Sequence, residues 1–137
     1  MSEQNRGEAN SERRRIFALG DVLSITTGKL VSPRHIEGVY DILNFMTGDN
    51  LYTHQLPRVS RECAPHLLKQ HPQLADVDAS NVSKDNWQAW MRQQVGKYGP
   101  TLYVVPLQPG EHYQIEPMSE LAEMVHPDKI ITVKVKP

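Results

Sequence analysis

The stretch Ser32-Pro-Arg-His-Ile-Glu-Gly-Val-Tyr-Asp-Ile-Leu-Asn-Phe-Met-Thr-Gly48 contains the clearest structural signal in this chain. Its apolar side chains recur at intervals of three and four residues, at Ile36, Val39, Tyr40, Leu43 and Met46. This spacing places them on one face of an α-helix. Ser32 predicts the N-cap, Pro33 predicts the first helical residue, and Gly48 predicts the end. We therefore expect an amphipathic helix of roughly four turns.

Three further segments flank this helix. Ile16–Ile25 fits either the beginning of a strand or a short helix, because its apolar residues lie near helical spacing. Pro57 opens a helical segment that runs to Gln70, but Pro65 lies inside it and lacks the amide of a continuous helix. We therefore expect a bend at Glu62–Ala64 between two short helices. A further helix is predicted over Lys84–Tyr98.

The C-terminal third has the character of strands. Thr101–Val105 and Ile130–Val135 are rich in β-branched residues, and Glu111–Ile115 follows a Pro-Gly turn. Pro117–Val125 fits a short helix. Helices followed by strands predict an α+β fold, in which N-terminal helices pack with a small C-terminal β-sheet of two or three strands.

Length and composition indicate one domain. The chain has 137 residues and a formal net charge of −1, which gives no general attraction for nucleic acid or an anionic membrane. Residues 1–15 are polar and predict a flexible leader, so the folded domain should span 16–137. The alternative is that the consecutive arginines 13–15 form an electrostatic tether to nucleic acid. One cysteine and no long apolar run predict a cytoplasmic protein.

Residues 24–34 contain groups that bind phosphate oxygens. Thr26 and Thr27 provide hydroxyls next to a glycine amide, and Lys29 and Arg34 provide cations. The spacing is not that of a P-loop. The alternative is that the threonines and the glycine simply end a helix.

The segment Thr47–Arg58 is unusually rich in side chains that form hydrogen bonds, and loops carried by rigid elements often bind ligands. We expect its ligand-binding residues to be Asn50, Tyr52, Thr53, His54, Gln55 and Arg58. The alternative is local turn chemistry that ties the loop to the next helix.

Catalytic and metal sites find less support. Cys63 and His66 have a tolerable zinc spacing, but a second ligand pair is missing. His54 could act as a general base, although nothing resembles a nucleophile elbow. The residues favour a non-enzymatic role without a cofactor or metal, and they leave an enzyme open.

Two segments, Leu23–Gly28 and Ile42–Arg58, resemble a family of small proteins carried by phages and prophages. The resemblance continues through Glu62–Cys63 and Leu67–Leu68 to Gln70–Pro72, about 55 residues in all. It provides no catalytic residues. By analogy it implies a counter-defence role, as in anti-defence sponges that capture cyclic nucleotides and in anti-CRISPR proteins that bind effector complexes.

Two hypotheses follow. The protein binds a nucleotide or another phosphorylated small molecule, and so sequesters a host defence signal. Alternatively, it is an inhibitor or adaptor that binds a host defence protein directly, for example a CRISPR-type complex, through the same loop. A homodimer or higher oligomer through the strand edge at Ile130–Val135 remains a further expectation.

Overall fold

A computed structural model describes residues 13–113 and 115–124. Within them the chain forms two short strands, five α-helices and two 3₁₀ turns. The bounds are β1 Arg15–Ala18, α1 Leu19–Thr27, α2 Ile36–Thr47, a 3₁₀ turn Thr53–Gln55, α3 Leu56–Gln70, a 3₁₀ turn Pro72–Asp76, α4 Trp87–Tyr98, β2 Thr101–Val104 and α5 Pro117–Met124. The predicted α+β class is confirmed.

The sheet joins the start of the described chain to the segment that follows α4. Strands β1 and β2 are antiparallel, with Arg15 opposite Val104 and Ala18 opposite Thr101. The prediction of a purely C-terminal sheet was therefore wrong in its placement, because the partner of β2 precedes the first helix. The segment 16–25 is both a strand and a helix, which the sequence had left as alternatives.

Two predicted strands have different outcomes. Residues 111–113 and 115 are not in a strand. The His112 ring and the Tyr113 backbone amide bond to the Glu62 carboxylate of α3 rather than to a neighbouring strand. The predicted strand Ile130–Val135 lies outside the described residues. Residues 1–12 of the predicted leader also lie outside them, and Arg15 already belongs to β1.

Helix α1 is the centre of the core. Leu19, Val22 and Leu23 are fully buried, and α1 packs against both α2 and α3. The helix ends at Gly28, whose φ of 78° is a left-handed conformation that glycine adopts readily. The predicted helix stop at Gly28 is confirmed, and it positions the threonines just before it.

Helix α2 begins at Ile36, one turn later than the sequence predicts. Ser32 does not cap it, because the Ser32 hydroxyl donates to Asp21 Oδ1 at 2.5 Å and accepts from the Arg34 amide at 3.0 Å. The N-cap position is His35. Gly48 ends the helix as predicted, and its amide donates to Asn44 O at 2.8 Å.

Helix α3 is continuous through Pro65, so the predicted bend was wrong. Proline removes the bond to the carbonyl of Arg61, and both residues lie on the exposed side of the helix. Water can satisfy that carbonyl, while buried Val59, Cys63 and Leu67 hold the opposite side against the core. Packing therefore outweighs the lost bond. Helix α4 likewise starts at Trp87 and not at Lys84.

Candidate functional site

The polar loop predicted to bind a ligand contacts the C-terminal helix α5 of the same chain. Gln55 lies at the centre of this contact and is only 1% exposed. Its Nε2 donates to Glu120 Oε1 at 3.0 Å and to Ile115 O at 3.3 Å, and its Oε1 accepts from the Tyr52 amide at 3.0 Å. The Gln55 side chain therefore bridges the loop to α5.

Arg58 forms a two-pronged ion pair with the same carboxylate. Arg58 Nε lies 2.7 Å from Glu120 Oε2, and Nη2 lies 3.2 Å from Glu120 Oε1. A third nitrogen, Nη1, donates to Tyr113 O at 3.1 Å. Hydrogen bonding from Arg58 lowers the pKa of Glu120, although burial opposes this shift. Glu120 is therefore held as a carboxylate by hydrogen bonds from Gln55 and Arg58.

Other side chains of the loop also form contacts within the same chain. His54 Nε2 donates to Pro117 O at 2.9 Å, and the Thr53 hydroxyl is hydrogen-bonded to Tyr40 OH. Tyr52 is 58% exposed, with its ring centroid 6.1 Å from that of His54. Asn50 is exposed at the turn, where its backbone amide donates to Asp49 Oδ1.

A histidine holds the chain just before α5. His112 Nδ1 lies 2.5 Å from Glu62 Oε1, and His112 Nε2 lies 3.2 Å from Asp49 Oδ2. The second oxygen of Glu62 accepts from the Tyr113 amide at 2.8 Å. The two sides of one imidazole ring therefore face two carboxylates, one on α3 and one after α2.

The residues predicted near Gly28 do not converge with the loop on one phosphate. Thr27 Oγ1 donates to Leu23 O at 2.6 Å and accepts from the Lys29 amide at 3.2 Å, which is helix-end chemistry. Lys29 Nζ lies 3.4 Å from Val82 O. Arg34 pairs with the buried Asp21 at 2.5 Å and with Asp41 at 2.9 Å.

A groove of about 740 Å³ lies between α1, the start of α2, and α3. Its walls are mostly apolar, and its polar side chains include Ser60 and Arg61 of α3 together with Thr26 and Thr27 of α1. Thr26 Oγ1 is buried and has no hydrogen-bond partner among the described residues. Buried hydroxyls usually have a partner, so the Thr26 hydroxyl is an unusual feature beneath the groove wall.

Arg61 differs from Arg34 and Arg58. It is exposed, lines the groove, and forms no ion pair within the part of the chain that the structure describes. A guanidinium of this kind can bind a carboxylate or a phosphate without breaking an existing pair. The groove therefore combines apolar walls with one cation and several hydroxyls.

The sequence contained a signal for this groove that the predicted bend concealed. One face of α3 carries residues at intervals of three and four, and all of them line the groove. They are Pro57, Ser60, Arg61, Ala64, Pro65 and Leu68. A continuous helix predicts this face beside the buried one; two broken helices do not.

The remaining candidate chemistry is limited. No set of three or more histidine, cysteine, aspartate or glutamate side chains is arranged for a metal in the ranges 13–113 and 115–124. Burial raises the pKa of the Cys63 thiol to about 12, so it is a poor nucleophile. None of the described helices combines the length and the apolar run that crossing a bilayer requires.

Comparison with known proteins adds a domain family and nothing about activity. No curated protein and no solved structure matches the chain. A family model matches one segment of the chain, residues 17–77. This segment begins in β1 and ends just after the second 3₁₀ turn, so it includes the groove and the polar loop and excludes α4, β2 and α5. Residues 17–77 match a family described as a domain of unknown function (DUF7736).

Proposed function

We propose that this protein binds an anionic small molecule, a nucleotide or another phosphorylated compound, in the groove between α1 and α3, without chemical conversion. In this proposal it is a phage-type accessory protein that acts in the host cytoplasm and sequesters a defence signal. The observation that carries the proposal is Arg61, a cation that forms no ion pair with the described residues, on a mostly apolar groove of about 740 Å³.

The size and lining of the groove support a small molecule. Ligand pockets are commonly about 300–1,000 Å³, mostly apolar, with a few convergent polar groups. Apolar walls that include Leu30, Ile36 and Leu68 would cover the base or another flat apolar part. Arg61 would bind the phosphate, and the Ser60 hydroxyl would accept or donate a further hydrogen bond.

Native mass spectrometry of protein purified from its producing cells tests this proposal. We expect a complex heavier than the chain, which releases a molecule with nucleotide absorbance on denaturation. The same spectrum gives the number of chains in the assembly. The variant Arg61→Gln should retain about one tenth of the ligand that the original protein retains, or less, because it loses one charge-assisted contact.

A matched control is Arg92→Gln, because Arg92 is an exposed arginine of α4 outside the groove. It should retain ligand like the original protein. Ligand-free protein, or equal retention in Arg61→Gln and the original, would refute the proposal.

A second candidate function is direct inhibition of a host protein, and it rests on exposed apolar side chains around docked α5. Tyr52, Tyr113 and Met118 are 58%, 70% and 65% exposed. Tyr52 lies beside His54, whose ring bonds to the start of α5, and Tyr113 lies in the segment that leads to that helix. Tyrosine is enriched at binding hot spots.

A pull-down from host lysate tests this second candidate. We expect one host protein or complex to be captured, and Tyr52→Ala to lose it. Tyr103→Ala is the matched control, because Tyr103 is similarly exposed but lies on β2. Capture that survives Tyr52→Ala, or a pull-down without a specific partner, would count against an interface here.

A further inference from the structure

Three side chains of the polar loop and the first turn of α3 donate to backbone carbonyls of the segment that leads into α5. The three bonds are Arg58 Nη1 to Tyr113 O at 3.1 Å, Gln55 Nε2 to Ile115 O at 3.3 Å, and His54 Nε2 to Pro117 O at 2.9 Å. The acceptors lie at alternate residues of one segment, of which residue 114 is not described. Regularly spaced contacts to the main chain are typical of surfaces that bind peptides.

A carboxylate three residues beyond the last of these carbonyls completes the contact. Glu120 accepts two bonds from Arg58 and one from Gln55. An arginine that binds both oxygens of a carboxylate adds geometric specificity as well as affinity. The donors therefore select a glutamate at one position, while the contacts to the main chain do not depend on the side chains before it.

The apolar side chains of this segment contribute little to its attachment. Tyr113 and Met118 are 70% and 65% exposed. Among the described residues of 111–122, Glu120 is the one that is buried. A segment that belongs to a hydrophobic core buries apolar side chains instead. The attachment therefore depends on polar contacts, which any peptide with the same acceptors can make.

The donors and the acceptors fall on opposite sides of the boundary of the matched family segment. Residues 17–77 include His54, Gln55 and Arg58, and they exclude segment 113–120. The donor surface is thus part of the domain that the family model matches. Its occupant in this chain lies outside that domain.

We propose that His54, Gln55 and Arg58 form a recognition site for a peptide of a partner protein, which presents backbone carbonyls at alternate residues and a glutamate three residues after the last. Segment 113–120 of this chain occupies the site in the free protein, and the partner's peptide displaces it. The site is separate from the groove between α1 and α3, because none of the three donors is among the residues that line that groove. The peptide assay below and the ligand assay for the groove therefore succeed or fail independently.

Fluorescence anisotropy of a labelled synthetic peptide with the sequence of residues 111–124 tests this site in the full chain. The variant Glu120→Lys places a positive charge against Arg58 and should release the chain's own segment. We expect this variant to bind the peptide at least about tenfold more tightly than the original protein, in which the tethered segment competes at high effective concentration. A peptide that carries Glu120→Gln should bind the variant at least about tenfold more weakly, because it loses the ion pair with Arg58.

A second peptide distinguishes recognition of the main chain and the glutamate from a seat that fits only this chain's own segment. It keeps His112, Pro117 and Glu120 and has alanine at every other position from 111 to 124. Binding to the Glu120→Lys chain should weaken by less than about tenfold, because the replaced side chains that the structure describes are not buried. A larger loss would show that the surface fits only the native segment, and it would overturn the proposal.

Matched chain variants each change one cation of α3 in the Glu120→Lys background. Arg58→Gln should weaken binding of the native peptide at least about tenfold. Lys69→Gln should leave it unchanged, because Lys69 is exposed and makes none of the described contacts to segment 113–120.

Two further results would overturn the proposal. They are the absence of peptide binding to the Glu120→Lys chain, and equal binding with and without Arg58→Gln. The NMR signals of the Val59 and Leu67 amides, which lie in the buried face of α3, report whether each variant is folded. If Glu120→Lys is not folded, Glu120→Gln replaces it in the chain, and the same outcomes decide.

Discussion

Replacement of Gly38 by alanine should destabilise the fold strongly, although alanine is the better helix former. Gly38 lies in α2 directly over a buried polar pair. A Cβ at this position would lie 2.1 Å from Ser32 Oγ and 2.3 Å from Asp21 Oδ1. Real Cβ atoms do not approach so closely, so Asp21 and Ser32 must move apart or α2 must shift.

The magnitude follows from what the displaced groups lose. Asp21 is fully buried and accepts from Ser32 Oγ at 2.5 Å and from Arg34 Nη2 at 2.5 Å. A buried group that loses a partner costs ~2 kcal/mol, and an overpacked core costs ~2 kcal/mol more. The helix propensity of alanine returns ~1 kcal/mol. We expect Gly38→Ala to lower the free energy of unfolding by ~3 kcal/mol.

Urea denaturation measures this change, and Gly96→Ala is its control. Gly96 is also inside a helix, α4, but a Cβ there meets no atom within 4 Å. That variant should gain ~0.5–1 kcal/mol from propensity alone. The steric reasoning is refuted if Gly38→Ala is as stable as the original protein, or if both variants change by the same amount.

Three further predictions concern strain and charge. His35 has φ 58° and ψ −139°, so His35→Gly should raise the urea midpoint, with a gain of ~1 kcal/mol in unfolding free energy; a lower midpoint contradicts the strain. The Cys63 thiol, with its pKa raised to about 12, should react with a thiol reagent after unfolding and not before. Glu120 has a lowered pKa, so its stabilisation is present above the ordinary carboxyl range and is lost as the pH falls through its folded pKa. The stability difference between the original and Glu120→Gln should therefore shrink in acid.

Local patterns predicted several elements well. Helices α2 and α5 and the strand at Thr101–Val104 correspond to predicted segments. Their signals are short in range: apolar spacing, β-branched runs, and a glycine or proline at the end. The helix stops at Gly28 and Gly48 were also confirmed, because a left-handed φ requires little beyond the local backbone.

The candidate site was harder to predict, because a donor in the sequence does not reveal its acceptor. Gln55 and Arg58 were expected to bind a ligand, and both instead bond to Glu120 of α5. Arg61 was not among the predicted residues, because Pro65 predicted a break in α3. Nothing local showed that the unbonded carbonyl would face water.

The sequence by itself determined that α2 and α5 are helical, where two of the helices stop, and which side chains carry charge and hydrogen-bonding groups. Those properties depend on neighbours within a few residues. Only the tertiary structure decided that β1 pairs with β2, that α3 passes through Pro65, and that α5 covers the polar loop. These outcomes depend on burial and on contacts between distant residues, whose free energies exceed local preference.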